Sequence, residues 1–163
     1  MTLPPPTVIF DSREPTNHPW LPHLPAGWKS VVTGLETGDV CLLENPGWVC
    51  ERKSGSDFLA CVGRERQRFD RELARARNLA GFFVIVESDL PALDRIRGGL
   101  SMEAILGSVA AWCRRGTPVL FAGDVPNAAA LAWRILAQPA EEAAKLAARI
   151  ERARAGALTE AAG

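Results

Sequence analysis

Residues 38–57 read GDVCLLENPGWVCERKSGSD. Two short apolar runs, 40–43 and 48–50, flank Asn45-Pro46-Gly47, a combination of residues that is typical of a turn. The two runs therefore predict a β-hairpin. Residues 54–57 carry serines and an aspartate directly after it, which indicates the start of a helix. The sequence therefore predicts a hairpin that leads directly into a helix, and the remaining segments are interpreted relative to these two elements.

The segments on either side of this hairpin predict a mixed sheet covered by helices. Short β-branched and aromatic runs bounded by polar or turn residues predict strands, and apolar residues at steps of three and four predict helices. Strands and helices alternate after the hairpin, which is typical of an α/β domain. The predicted strands are 7–10, 31–33, 82–86 and 119–122, and the predicted helices are 57–80, 101–115, 127–137 and 140–155.

Charged residues lie at the ends of the hairpin strands. Asp39 begins the first strand, and Glu51 and Lys53 end the second. Residues two apart on a strand point to the same face, so Glu51 and Lys53 project together, and the hairpin brings Asp39 close to them. Two carboxylates are enough to hold a hard cation such as Mg²⁺, which takes oxygen ligands and keeps several waters. The amine can orient or deprotonate a water, or neutralise charge at phosphorus.

Each of these charges also has a purely structural interpretation. An aspartate after a glycine is typical of a turn, and a Glu-x-Lys pair on a strand is often an exposed ion pair that contributes little. Their joint occurrence around one hairpin is less easily explained in this way, because the strands that carry them are otherwise apolar. The combination therefore favours a functional site.

Together these residues resemble the motif of a known family. Gly38-Asp39, Glu51-Arg52-Lys53 and Asp57 resemble the GD…ERKxxxD signature of the XPF-type structure-specific endonucleases, and Asp11-Ser12-Arg13-Glu14 is similar to their upstream DxRE element. The resemblance covers residues 7–122. It implies a restriction-endonuclease-like (PD-(D/E)xK) fold with a central mixed sheet flanked by helices. It also implies dependence on Mg²⁺ or Mn²⁺ and phosphodiester hydrolysis in branched or flapped DNA, as in DNA repair.

The resemblance also implies roles for individual residues. Asp39 and Glu51 would ligate the metal, and Lys53 would serve the attacking water. The backbone carbonyl of Arg52 would add a ligand, which leaves its side chain for phosphate or acidic neighbours. The upstream element would line the metal site or the groove for the scissile strand, with its aspartate as a further metal ligand: Asp11, Arg13 and Glu14.

Asp57 has two interpretations that can both hold. The resemblance implies that it ties the start of the helix to the catalytic site. The spacing of Ser54 and Asp57 also predicts a capping box, with aspartate in place of the usual glutamate or glutamine. The sequence leaves both open.

Arginines dominate the helix predicted after Asp57. Arg66 interrupts an otherwise apolar stripe at a position where the family commonly has an arginine, and we expect the active site to supply its acidic or phosphate partner. Four other arginines are spaced four, three and four apart, so they share one face that could follow a phosphate backbone: Arg64, Arg68, Arg71 and Arg75. Such a stripe is more often a solvated face laced with ion pairs, such as Glu65 with Arg68.

The segment after Glu14 is rich in proline and unusual for the family. Its aromatic residues, Trp20, His23 and Trp28, either shape the substrate groove or pack over the edge of the sheet, as tryptophans usually do.

Composition limits the remaining possibilities. The 163 residues include nineteen basic and nineteen acidic ones, which excludes a generally basic binder of nucleic acid. No apolar run approaches the roughly 20 residues that span a bilayer, and the N-terminus does not resemble a signal peptide, so we expect a cytoplasmic protein and no membrane partner. The spacing of the four cysteines does not predict a zinc site.

The sequence thus predicts a metal-dependent DNA endonuclease. A nuclease-type domain is expected over residues 7–138, and a C-terminal helical extension and tail over 139–163. No tandem helix-hairpin-helix module follows residue 122, so a homodimer or a separate duplex-binding chain is a possible partner besides DNA. Two alternatives stay open: a non-catalytic DNA-binding or scaffolding module, and a phage or restriction-type nuclease on the same fold.

Overall fold

A computed structural model describes residues 4–161, apart from the side chains of residues 140, 144 and 153–161. It contains a six-stranded sheet flanked by helices, with a short 3-10 turn at Leu21–His23. The strands are β1 Thr7–Asp11, β2 Lys29–Thr33, β3 Val40–Leu42, β4 Asn45–Lys53, β5 Gly81–Val86 and β6 Val119–Phe121. The helices are α1 Gly55–Val62, α2 Arg66–Ala76, α3 Leu90–Ile96, α4 Met102–Arg114 and α5 Val125–Ala161.

The sheet is mixed, and its strand order is β2-β1-β3-β4-β5-β6. β3 is antiparallel to both β1 and β4, whereas β1 is parallel to β2 and β4, β5 and β6 run parallel to one another. The hairpin therefore joins two parallel halves at the centre of the sheet. This arrangement confirms the predicted α/β class with a central mixed sheet.

Each face of the sheet buries a separate apolar core. On one face Phe58 of α1 and Phe69 of α2 pack edge-on against Trp112 of α4, with ring centroids 6.1 and 5.0 Å from the tryptophan. On the other face Trp20 packs edge-on against Trp133 of α5 at 5.7 Å. Successive residues of a strand point to opposite faces of the sheet, so the side chains of β4 alternate between these two cores.

Several predicted boundaries are wrong. The hairpin turns at Leu43 and Glu44, and the predicted turn residues 45–47 belong to β4. The carboxylate of Glu44 explains the shift, since it accepts the backbone N–H of Thr7 at 3.0 and 3.1 Å and holds the turn against β1. The helix predicted over 57–80 is two helices, α1 and α2, because Gly63 has a non-helical backbone (φ −103°, ψ −108°).

Two further helices differ from the prediction. α3 was not predicted, although its start carries two helix signals: the side chain of Asp89 accepts the N–H of Ala92 at 2.7 Å, and Pro91 occupies the first turn. α5 continues through Pro139, where the sequence predicted two helices, because alanine-rich flanks favour helix on both sides of the proline. The division of the chain after residue 138 remains a prediction, and residues 162 and 163 of the predicted tail lie outside the described residues.

No helix among residues 4–161 is long and apolar enough to cross a membrane. Three of the four cysteines, Cys41, Cys50 and Cys61, are buried, and Cys113 is exposed; none forms a disulfide.

Candidate functional site

Gly38 places Asp39 at the centre of the sheet. The glycine has φ +80°, and a Cβ at this position would lie 2.3 Å from Cγ1 of Val49. With no side chain in the way, the backbone of Asp39 lies between two strands: its N–H donates to the carbonyl of Cys50 on β4 at 2.9 Å, and its carbonyl accepts the N–H of Asp11 at 2.8 Å. The end of β1, the start of β3 and the end of β4 therefore meet at Asp39.

The side chains of Glu51 and Lys53 project together from β4, as their spacing predicted. The Lys53 ammonium donates to Glu51 Oε1 and lies 5.4 Å from the ring centroid of Phe69 on α2. Glu51 is only 2% exposed, and its second oxygen, Oε2, has no hydrogen-bond partner among the described residues. A buried carboxylate oxygen without a partner is costly, so this atom indicates a ligand that the protein alone does not supply.

The carboxylates of this cluster oppose one another. Burial, together with repulsion from Glu14, raises the pKa of Asp39 from its usual 3.8 to about 7, although the backbone N–H of Arg52 donates to Asp39 Oδ2 at 2.8 Å. Burial and repulsion from Asp39 raise the pKa of Glu51 well above its usual range. The residues needed to hold a cation are therefore present, and their charges are poorly compensated without one.

Burial disfavours the charge of Lys53, but the Glu51 carboxylate outweighs this effect and raises the pKa of Lys53 above its usual value. The side chain is therefore a cation at neutral pH. In this state it can donate hydrogen bonds and neutralise negative charge. Its predicted role toward the attacking water stays a prediction.

The Arg52 side chain points to the opposite face of β4 and is held by acidic neighbours. Its guanidinium makes two hydrogen bonds to Glu87, at 2.7 and 2.8 Å, and Nη1 lies 3.6 Å from Glu14 Oε2. Trp20 Nε1 also donates to Glu87, at 2.6 Å. Sequence reasoning missed Glu87, although its position signals its role: it is a lone carboxylate directly after buried β5, which is parallel to β4.

Asp11 was predicted as a metal ligand, which stays a prediction; in the structure its carboxylate is fully hydrogen-bonded. Oδ1 accepts the backbone N–H and Nε of Arg13 at 2.8 and 2.7 Å, while Oδ2 accepts Nη2 of Arg13 at 3.1 Å and the N–H of Leu35 at 2.6 Å. Burial alone would raise the pKa of Asp11, but these hydrogen bonds outweigh it and lower the pKa. Both oxygens are thus engaged, and Asp11 positions Arg13 and the 34–38 turn.

Glu14 lies beside Asp39, as the upstream motif predicted. It is half-buried, lines the same cleft, and has Oε2 3.5 Å from His18 Nε2. Burial and the nearby Arg52 charge lower the pKa of His18 to about 4, so this imidazole is neutral. Its Nδ1 accepts the N–H of Trp20 at 3.1 Å, which leaves the proton on Nε2, facing the Glu14 carboxylate.

Asp57 is both a helix cap and part of the cleft wall. The backbone N–H of Asp57 donates to Ser54 Oγ at 3.1 Å, and the Ser54 hydroxyl donates to Asp57 Oδ2 at 2.6 Å. The predicted capping interaction is therefore present. The same carboxyl group is exposed at the mouth of the cleft, so the second interpretation stays a prediction.

The predicted basic stripe divides between the cleft and other surfaces. Arg64 and Arg68 line the cleft, and Arg68 pairs with Glu65 at 2.6 Å, as the sequence predicted. Arg71 and Arg75 are exposed and do not line the cleft. These placements leave the turn after α1 and the start of α2 as the basic wall of the site.

Arg66 faces away from the site, so the expectation that the active site supplies its partner is wrong. Its guanidinium lies 5.0 Å from the Trp112 ring, donates to Ser108 Oγ at 2.6 Å, and pairs with Asp70 at 3.3 Å. The turn between α1 and α2 rotates this residue away from the position that a continuous helix would give it. Arg66 thus anchors α2 to α4.

The aromatic residues of segment 12–28 pack against α5 and do not form the cleft. Trp20 is fully buried in the core that contains Trp133. Trp28 and His23 line a separate depression beside Trp133. The structure therefore favours the packing interpretation over a direct part in the substrate groove.

The polar residues around Asp39 enclose a cleft of about 280 Å³ between the sheet end and α1, which we call the acidic cleft. Within residues 4–161, no three His, Cys, Asp or Glu side chains are grouped closely enough to form a complete protein ligand set for a metal. A cation held here would keep most of its coordination for water or substrate, as Mg²⁺ commonly does. The cleft is lined by Glu14, Asp39, Arg52, Lys53, Asp57, Ala60, Cys61, Arg64, Glu65 and Arg68.

Known proteins resemble this chain in structure. No protein-family model and no curated protein matches its sequence. The fold is similar to XPF from Aeropyrum pernix, with a TM-score of 0.69 and 24% identity over 86% of this chain and 68% of the other. It is also similar to XPF from Aeropyrum pernix in complex with DNA, with a TM-score of 0.65 and 20% identity over 84% of this chain and 66% of the other. The chain spans about two thirds of that protein's length, and the likeness confirms the predicted XPF-type, restriction-endonuclease-like fold.

Proposed function

We propose that the protein is an endodeoxyribonuclease that depends on Mg²⁺ or Mn²⁺ and hydrolyses phosphodiester bonds in branched, flapped or forked DNA. The observation that carries the proposal is that Asp39 and Lys53 line the acidic cleft, while the buried Glu51 carboxylate accepts a hydrogen bond from Lys53 and is repelled by Asp39. Support for DNA as the substrate comes from the similarity to XPF, which has been solved in complex with DNA.

The two carboxylates fit a divalent cation. Glu51 Oε2 is buried without a hydrogen bond to any described residue, and repulsion between Asp39 and Glu51 contributes to the raised pKa of Glu51. A bound cation would satisfy that oxygen and relieve the repulsion, and carboxylate oxygens are the ligands that Mg²⁺ and Mn²⁺ prefer. Asp39 and Glu51 are therefore the residues that would hold the metal. When bound, the metal supplies a Lewis acid that activates water and neutralises phosphate charge.

The remaining cleft residues orient the ligands and the DNA. The Lys53 ammonium donates a hydrogen bond to one oxygen of Glu51, which directs the other oxygen away from the ammonium. The positive charge of Lys53 can also stabilise negative charge that develops on the phosphate. Arg52 fixes the Asp39 carboxylate through its backbone N–H, while Glu87 holds the Arg52 side chain. Arg64 and Arg68, on the wall of the cleft, would contact the phosphate backbone.

A metal-dependence assay with matched variants tests this proposal. Purified protein is incubated with flapped, forked and plain duplex DNA in Mg²⁺, Mn²⁺ or EDTA. We expect cleavage only with a metal, and a loss of about 100-fold or more in Glu51→Gln and in Lys53→Met, because each variant removes one charged group from the site. Glu36→Gln and Lys29→Met remove the same charges at exposed positions and serve as controls.

The alternatives are outcomes of the same assay. Binding of forked DNA without cleavage in either metal would replace the nuclease proposal with a non-catalytic DNA-binding or scaffolding module. Efficient cleavage of plain duplex, with no preference for forks or flaps, would favour a restriction or phage-type nuclease. Full activity of Glu51→Gln would refute the assignment of the acidic cleft. A homodimer, a separate duplex-binding chain and a domain boundary at residue 138 remain predictions.

A further inference from the structure

A second groove adjoins the acidic cleft. It lies between α1 and the segment that follows α3, has a volume of about 430 Å³, and we call it the α1–α3 groove. Ala60 and Arg64 line both the groove and the acidic cleft, so the two depressions meet at these two residues. A nucleic acid strand that leaves the acidic cleft on this side meets the groove next.

The groove combines an apolar wall with a free cation. Ile96 is 56% exposed at the groove, and Leu59 and Leu100 add to the same apolar surface. Arg64 is exposed and has no ion-pair or hydrogen-bond partner among residues 4–161. The second arginine, Arg97, is held in place, since it donates to Asp94 Oδ1 at 2.6 Å and to the Leu100 carbonyl at 2.5 Å.

This chemistry suits an unpaired strand better than a duplex. In a duplex the base faces are stacked, and only the backbone and the base edges are accessible. An exposed apolar wall therefore buries little apolar surface when it contacts a duplex. In an unpaired strand each base has a free apolar face, and proteins that bind such strands combine base contacts with cations along the backbone. Ile96 and Arg64 line the same groove, and Arg64 has no partner among the described residues, so the two side chains provide both kinds of contact.

We propose that the α1–α3 groove is a binding site for the unpaired DNA strand that flanks the scissile phosphate. Arg64 contacts the phosphate at the boundary between the two depressions, and the wall formed by Ile96 and Leu100 receives the first unpaired base. This inference deepens the proposed function and rests on it for the position of the scissile phosphate. It assigns the preference for branched DNA to a surface of this domain.

Gly99 allows the groove to be blocked without disturbing the fold. A Cβ at Gly99 meets no atom within 4 Å, and the residue lacks the positive φ that Gly98 has (+59°). Gly99→Glu therefore places a bulky anion at the groove and leaves the acidic cleft intact. Gly107→Glu is the matched control, because a Cβ at Gly107, on α4, is equally free of contacts and lies outside the groove.

The experiment measures binding of fluorescein-labelled forked DNA and of plain duplex by fluorescence anisotropy in EDTA. We expect the wild-type protein and Gly107→Glu to bind the fork more tightly than the duplex. Gly99→Glu is expected to weaken fork binding about tenfold, the effect of losing one base contact, and to change duplex binding less than about twofold. Ile96→Ser, which adds no charge, is expected to weaken fork binding in the same selective way.

Three results would overturn the inference: equal binding of fork and duplex by the wild-type protein, fork binding unchanged in Gly99→Glu, or equal weakening of both DNAs by Gly99→Glu. Binding in EDTA does not depend on catalysis. Failure of the nuclease proposal would appear as absent or metal-independent cleavage, whereas failure of this inference appears in the anisotropy titrations alone.

Discussion

Asp39→Asn is expected to stabilise the metal-free protein at alkaline pH while it removes the proposed activity. The pKa of Asp39 is about 7 in the folded protein and 3.8 ordinarily, because burial and Glu14 disfavour its charge. As the pH rises from about 4 to about 7, the unfolded chain releases this proton while the folded protein retains it, so stability falls over that window. Asparagine has no proton to lose, so the variant avoids this decline.

The size of the effect follows from the difference between the two pKa values. A change from 3.8 to about 7 corresponds to at most about 4 kcal/mol at 1.36 kcal/mol for each pKa unit, and we take about 2 kcal/mol because Asp39 is partly exposed to water. For a domain of this size, 1 kcal/mol shifts Tm by about 2–4 °C, so the expected gain at about pH 8 is roughly 4–8 °C. Asparagine retains an oxygen that can accept the N–H of Arg52, so that hydrogen bond is preserved.

Thermal unfolding in EDTA between about pH 5 and pH 8, followed by circular dichroism, measures this difference. The buried His18, with its pKa lowered to about 4, contributes a slope of opposite sign, but it is present in both proteins and cancels in the comparison. Asp124→Asn is the control, because its side chain is exposed and asparagine can replace it as the helix cap that accepts the N–H of Asn127. Equal Tm values for wild type and Asp39→Asn at every pH would refute the account of opposed carboxylates.

Two further predictions concern the supports of the site. Gly38→Ala is expected to destabilise the protein by about 1–3 kcal/mol in urea denaturation, because the new Cβ would clash with Val49 and the backbone has a positive φ. Gly123→Ala is the control, because Gly123 also has a positive φ (+86°) but a Cβ there meets open space, so this variant measures the cost of backbone strain alone. Equal losses of stability in the two variants would show that the clash with Val49 contributes nothing. Trp20→Phe removes the N–H that Glu87 accepts and is expected to cost about 1–2 kcal/mol in the same assay, and unchanged stability would show that the bond contributes nothing.

The strands were predictable because their patterns are local. β5 contains a run of five buried apolar residues bounded by Gly81 and Glu87, and a run of this length is typical of a buried strand and too short for a helix. The break between α1 and α2 was not predictable from periodicity. Phe58, Val62 and Phe69 continue one apolar stripe in sequence, but Gly63 and the residues after it turn the chain, and both helices still face the same core.

The site was predictable where strand geometry determines it. Alternation along β4 and the hairpin connection bring Asp39, Glu51 and Lys53 together whatever the surroundings are. Roles that depend on long-range contacts were not predictable. Arg66 reaches Ser108 only because α4 packs beside α2, and Asp11 accepts the N–H of Leu35 only because the chain returns to β1.

The cluster of Asp39 and Glu51 is difficult to explain as a stabilising feature. A structural carboxylate gains hydrogen bonds when it is buried, as Asp11 does with four donors, and its pKa falls. Asp39 and Glu51 lie at the neighbouring strands β3 and β4 of the same sheet, yet their pKa values rise and Glu51 Oε2 has no partner among the described residues. Hydrogen-bonded and opposed carboxylates thus occur on adjacent strands of one sheet. Burial and repulsion from neighbouring carboxylates both raise the pKa values of the opposed pair, and cation binding is the process that would offset this cost.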